Sequence, residues 1–399
     1  MVRAHSLLYA IYVCLIIALL CGALLYIATM YNQLNIFYTS HEELYIHNQS
    51  LVNYALVNID ETEPIEEEEN EIQSSYEVKP YGLLRILTAT SAISNDTVTS
   101  AHLVGLDKTD KTCVFVPSQG KSLSYAGNVK LIGDKKLPSD YIRPIYIDNR
   151  SNKLEIDGKV IISPPVLPEL SENLKSLAGL AAPEVKLKDL PKSKDFYYNS
   201  FLKPTVKVIL EAPELTNVSL KGNIILYSND SIVISSGAVL EDVILVANKI
   251  YFQDNFKGSV QAFASEKIET GKNVELKHPS VLCVEASGAK SSIHIGKENK
   301  LYGAIVLHGT VFTDIQHNVI EIEEGSFIAG DIYCSGKLIL KSNVYGAVYT
   351  NKFSYSTSSS GYDDCIADIE INAMKRPRYF VPVPLFENDK NYGTVKKVW

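Results

Sequence analysis

The sequence predicts a mainly β chain, a parallel β-solenoid (β-helix) preceded by a single N-terminal transmembrane α-helix. Three observations carry that fold class. Residues 7–30, "LLYAIYVCLIIALLCGALLYIATM", run for 24 positions without a charge. From residue 80 onward the chain breaks into short β-type runs separated by Gly, Asn, Asp and Pro. Beyond residue 206 those runs repeat, as in "FIAGDIYCSGKLILKSNVYGAVYTN" (327–351), where Gly330-Asp331-Ile332-Tyr333 returns as Gly346-Ala347-Val348-Tyr349.

The apolar run exceeds the ~20 residues that cross a bilayer core. It is longer than the ~7–15 apolar residues of a cleaved signal peptide, and no good small-x-small site follows it. Arg3 precedes it and acids follow, so the positive-inside bias puts the N-terminus in the cytoplasm and the bulk of the chain outside. Residues 31–59 lack Pro and Gly, and Leu34, Phe37, Leu44, Leu51, Ala55 and Ile59 recur at three-, four- and seven-residue spacings. The helix therefore continues out of the membrane as a stalk, making 1–59 one element.

Residues 60–71, "DETEPIEEEENE", hold eight carboxylates and no base. They make 60–79 an acidic linker, and they account for the formal net charge of −8, so the remainder is neutral. No basic field exists to gather nucleic acid. A β region follows at 80–162, then a proline-punctuated insertion at 163–205 with one short helical pattern, "LSENLKSLAGLA".

The repeat occupies 206–355. One series runs "KGNIILYS" (221), "EDVILVAN" (241), "KGSVQAFA" (257), "HPSVLCVE" (278), "YGAIVLHG" (302), "AGDIYCSG" (329) and "YGAVYTNK" (345). A second interleaves: "SIVISSGA" (231), "EKIETGKN" (266), "SIHIGKEN" (292), "VIEIEEGS" (319) and "KLILKSNV" (337). Stacked parallel strands explain this, with alternate Val, Ile and Leu filling a narrow core and Gly turning the corners. Gly222, Gly258, Gly303, Gly330 and Gly346 recur beside the central strand of the motif. An antiparallel sandwich has no reason to repeat one corner in register. The tail, 356–399, combines apolar residues with prolines and is expected to cap the open end.

No catalytic, cofactor-binding or metal site is predicted, and no cofactor. The histidines nearest one another, His294, His308 and His317, lack the spacing of a known ligand set. Cys113, Cys283, Cys334 and Cys365 form no CxxC; Cys283 and Cys334 fall in strand runs, where a buried thiol is a small hydrophobe. The acids Glu266, Glu269, Glu321, Glu323, Glu324, Asp363 and Asp364 are the carboxylates an enzyme of this architecture would draw on, and alternate acids on a strand ordinarily face solvent.

Two resemblances add to this. The segment "GDIYCSGKLILKSNVYGAV" resembles a coil of the bactofilins, polymer-forming bacterial β-helix proteins, with irregular coils as a departure. The first 60 residues resemble the hydrophobic helix of type IV pilins and pseudopilins, without a prepilin-peptidase site or a Glu near the start of the apolar run. The whole arrangement is similar to membrane-anchored envelope proteins of Bacteroidetes-type bacteria. The resemblances imply a non-catalytic structural or scaffolding protein of the bacterial envelope, single-pass in the inner membrane. Its expected partners are the lipid bilayer, through residues 7–30, and other envelope proteins or further copies of itself. The alternatives are a carbohydrate-active β-helix enzyme (polysaccharide lyase or hydrolase) and a pilin-like subunit of a surface assembly.

Overall fold

The computed structural model describes residues 2–399 except 60–65, 70–71, 95, 108–109, 120, 148–150, 172–181, 192–195, 287–289, 310–316, 358–359, 378–379 and 387–390. The chain is mainly β with one long N-terminal apolar helix, and it divides into two compact units. Met1–Glu77 with Thr88–Ser100 forms the first; Val78–Leu87 with Ala101–Trp399 forms the second.

In the first unit a single helix spans Val2–Val57, its apolar part long enough to cross a membrane. Leu7 to Met30 is apolar and exposed on all sides, and Leu34 and Phe37 beyond it are exposed as well. From Leu44 on, one face is buried: Leu44, Asn48, Leu51, Val52 and Ala55 recur at helical spacing and pack with Ile72 and Tyr76 of an antiparallel sheet. Asn48 is the polar residue in that face. Its side-chain amide donates to the Ala89 carbonyl (3.0 Å) and accepts from the Ser100 hydroxyl (2.7 Å), so its burial leaves no donor or acceptor stranded. In this unit the sheet comprises residues 72–77, 88–93 and 96–100, with Glu66–Glu69 paired antiparallel to Ile72–Ser75. Much of the stretch read as an acidic linker is thus strand.

The second unit is built on parallel pairing. In a first ladder Val208, Leu226, Leu245, Ala262, Leu282, Ile305, Ile332 and Val348 stand in register, in steps from 16 (Ile332 to Val348) to 27 residues (Ile305 to Ile332). A second aligns Leu276, Leu301, Ile328, Val344, Ile371, Leu131 and Ile156. A third aligns Ile232, Ile250, Ile268, Ile293, Ile320, Leu338 and Phe353. All but the terminal Ile156 are buried, and they share one core. Six strands close a parallel ring: Lys257–Thr270, Glu275–Ala286, Lys300–Gly309, Phe327–Leu340, Asn318–Ile322 and Ser291–Ile295. The ring closes because the 14-residue strands Lys257–Thr270 and Phe327–Leu340 each serve two ladders.

The ladders do not end where the repeat ends. Val348 and Tyr349 pair with Val114 and Phe115, and Ile371 pairs with Leu131. The runs at 112–162, read as a separate region preceding the repeat, therefore extend it at its C-terminal side. Further along, Lys153–Asp157 pairs with Asn128–Ile132 and Val160–Ile162 with Lys135–Leu137. The proline-rich 163–205 segment then starts the ladders at their other end, with Glu184–Lys186 and Phe196–Asn199 as opening strands. The tail expected to cap the array instead supplies rungs, Cys365–Ala367 and Glu370–Asn372, and its last strand, Tyr392–Lys397, pairs antiparallel with His102–Leu106.

The glycine corner is real at Gly303 and Gly330, which pair in register with φ of +157° and +139°. A Cβ on Gly330 would strike the Gly303 carbonyl, and one on Gly346 the Gly330 carbonyl. The neighbouring Asp331 is buried, accepts from the Ala347 amide (3.0 Å) and pairs with Arg376 of the tail.

Two predictions follow from this packing. Ile332 is fully buried, so Ile332→Asp should place an unpaired carboxylate in the core and cost about 4 kcal/mol or more in a urea melt. His278 packs at a tilt against Phe380 of the tail, with ring centroids 4.6 Å apart and the planes at 41°. Burial, helped by the positive charge of Lys396, lowers its pKa from the ordinary 6.5 to about 4. The unfolded chain takes up that proton first, so stability should be full above pH 6.5 and fall as pH drops towards 4. His278→Phe keeps the ring contact and should flatten that part of the thermal-midpoint profile; an unchanged slope would remove His278 from the account.

Candidate functional site

The first ladder is apolar on both faces. Its inward column fills the core, while Tyr227, Val246, Phe263 and Cys283 form an outward column that continues to Val306, Tyr333 and Tyr349. That is why "VILVA", "SVLCV" and "AIVL" read as unbroken apolar runs. Most of the outer face is sheathed. Tyr81, Leu83 and Leu84 cover part of it, and Val383, Leu385 and Phe386 cover the Tyr333–Tyr349 end, where Phe386 lies 4.8 Å from the Tyr349 ring. The Tyr333 hydroxyl also donates to the Pro168 carbonyl (3.2 Å).

A groove of about 270 Å³ remains over the unsheathed stretch, with Ile225, Val246, Phe263 and Cys283 in its lining. Its polar lining includes Lys207, Asn248, Ser265, Glu285 and His308, and Tyr227 stands at its side. Lys207 Nζ lies 4.3 Å above the Tyr227 ring and 2.9 Å from Glu184, so the cation is already engaged. Ser265 donates to Asn248 (2.9 Å), whose amide donates to the Asn229 carbonyl. Burial pushes the Cys283 thiol well up, which keeps it protonated and poorly nucleophilic. Among the described lining residues Glu285 is the one carboxylate, where glycoside hydrolysis uses two. The groove suits a small, partly apolar group, and sequence reading missed it because its floor takes outward side chains from four successive strands, and spacing does not say which stretch of that face is left uncovered.

The sequence candidates fall elsewhere. His294 lies on the third ladder between Glu269 and Glu321, whereas His308 stands on the first ladder beside Glu285. His317 is exposed in a turn. The structure does bring His294, Glu321 and Glu323 together, with ligand-capable atoms within 4.8 Å of one another. Lys341 Nζ sits 3.6 Å from Glu321 and 3.4 Å from Glu323, supplying from the chain itself the positive charge that such a cluster attracts. Glu266 pairs with Lys249 (3.2 Å) and Glu269 with Lys267 (2.7 Å). Asp363 bonds Lys352 (2.7 Å), which holds its carboxyl below the usual range, while burial raises that of Asp364. Glu269 thus neighbours His294 across the ladder, and Glu266 pairs outward with Lys249.

No protein-family model and no curated protein matches this chain, so the bactofilin-like and Bacteroidetes-type resemblances rest on residue pattern alone. Among solved structures the chain is similar to the competence-associated pilin ComZ from Thermus thermophilus. The identity is 9%, over 84% of this chain and 86% of that one, with a TM-score of 0.26, too low to assign a fold.

If Lys341 satisfies the His294 cluster, millimolar zinc should move the thermal midpoint by no more than about 1 °C. A rise of several degrees that disappears in His294→Ala would instead establish a metal site there.

Proposed function

We propose that this protein is a single-pass, membrane-anchored scaffold of the bacterial cell envelope, non-catalytic, with its β part outside the cytoplasm. The observation that carries the reading is the Val2–Val57 helix. Its first part is apolar and exposed on all sides, as a bilayer requires, while its last turns bury one face on a sheet in the same unit. The two halves share one uninterrupted element, so the anchor and the folded part cannot separate without breaking the helix. Arg3 ahead of the apolar run favours a cytoplasmic N-terminus.

The second unit is read as a three-faced β-solenoid, so that the six-strand ring is one stretch of continuous coiling. Support comes from Lys257–Thr270, whose Gln261–Ala264 part pairs with one strand and whose Lys267–Thr270 part pairs with another. One strand therefore bends through a corner, and the ring passes through it on two faces. A rigid stack of this kind is suited to bearing contacts with other envelope proteins or with further copies. The acids that a carbohydrate-active enzyme would need are engaged with nearby lysines, which favours the scaffold over that alternative. A pilin-like subunit is the second reading, favoured by the same helix laid on antiparallel strands.

Reporter fusions near residue 60 should be active outside the cytoplasm, and alkaline carbonate should leave the protein in the membrane. Glu269→Gln and Glu323→Gln should each change stability by no more than about 0.5 kcal/mol and leave the strain's phenotype intact. Release by carbonate would end the anchor reading. Loss of phenotype from one neutralised carboxylate, in a protein still folded and inserted, would favour an enzyme.

A further inference from the structure

The parallel ladders have two ends, and the ends differ. At the opening end Leu190 is buried in the core cluster and Leu187 packs against it, so the first turn is closed over by its own chain. At the other end the edge strands Lys153–Asp157 and Val160–Ile162 pair on one side only, among the described residues. Ile156 aligns with the buried Leu131 and Ile162 with the buried Leu137, yet they are 42% and 67% exposed. They stand at core positions, and among the described residues no further strand pairs above them. Tyr141 and Tyr146 flank the short strand Arg143–Pro144, the last of a separate three-stranded set that adjoins the third ladder where the Asp364 amide donates to the Phe353 carbonyl, and are 62% and 85% exposed. Lys135, fully buried in the preceding turn, donates to the Asp157 (2.5 Å) and Gly158 (3.3 Å) carbonyls and so fixes the last corner. An ordered, apolar, half-paired edge of this kind is a template for another chain.

We propose that this end is an interface between two copies of the protein, joined end to end about a two-fold axis through Glu155. The edge strand reads Lys153-Leu154-Glu155-Ile156-Asp157, and it is complementary to itself when reversed. In an antiparallel pair centred on Glu155, each Lys153 faces the other copy's Asp157. Each Leu154 likewise faces the other's Ile156 across the shared core. Opposite charges and apolar pairs at facing positions both stabilise such a ladder. The two central Glu155 residues face one another, and each is held by its own Lys130 at 2.9 Å. The same axis exchanges the first and third faces, laying Ile162 of one copy over the exposed tyrosines of the other. A two-fold contact closes after two copies, whereas stacking onto the opposite end would give an open filament. The covered opening end, with Leu187 and Leu190 in place, favours closure.

This surface rests on reading the ladders as a stack of turns, and the test separates the two ideas. In the full chain, purified in detergent with Cys14 and Cys21 replaced by serine, Glu155→Cys should form a disulfide-linked dimer under mild oxidation. Light scattering should show a dimer for the wild type. Lys153→Asp should weaken it roughly tenfold or more by opposing like charges, and K153D/D157K should restore it. As the control on the stack, Asn128→Cys with Lys153→Cys, paired in register, should link within one chain. Failure of that control would overturn the ladder reading. A working control with no 155-to-155 link, or a dimer indifferent to Lys153→Asp, would overturn the end-to-end interface alone. In Glu155→Cys/Tyr198→Cys, long assemblies linked from residue 155 to residue 198 would replace it with head-to-tail stacking.

Discussion

The second unit depends on one contact repeated: an inward Ile, Leu or Val of one strand resting on its equivalent in the parallel strand beside it. Ile250, Ile268, Ile293 and Ile320 show it on the third ladder, each fully or almost fully buried and in register with the next. Strand spacing of about 4.8 Å sets the step, and branched side chains fill it without strained rotamers. The register holds although the steps along the first ladder vary from 16 to 27 residues, so the loops between strands can differ widely in length. Corners are less tolerant. At Gly303 and Gly330 consecutive turns come so close that only a residue without a side chain fits.

That same contact explains a join the chain order conceals. The turn after Tyr349 is made from two distant pieces, Thr112–Phe115 on the first ladder and Glu370–Asn372 on the second. Neither piece can bury its apolar side alone. The proline-rich segment after residue 162 is the necessary return path, since the chain must travel from one end of the ladders to the other before the repeat begins. The sheath on the outer face of the first ladder has a related cause: a strand set apolar on both sides needs two covers, and Tyr81–Leu84 and the tail provide the second.

Much of this was legible beforehand. The long apolar helix, its buried continuation at Leu44, Leu51 and Ala55, the β content and the pairing of Ile332 with Val348 all follow from spacing. The placement of 112–162 was not, because Val348 to Val114 is a contact between segments whose separation carries no periodic signal. Asn48 escaped notice since a single amide in a helix is uninformative until its partners Ala89 and Ser100 are known. Of the site candidates, His294 proved to have carboxylate neighbours while His308 came to a groove; spacing along one strand cannot say which column a residue joins.

The most direct test of the account is amide hydrogen exchange of the native full chain, read by residue. If one continuous core joins the repeat to the segment before it, Val114, Leu131 and Ile371 should exchange at the same slow rate as Ile305 and Ile332, and should lose protection together with them in mild denaturant. Fast or separately melting amides across 112–137, with 300–340 still protected, would contradict it and show that the N-terminal strands form a unit of their own.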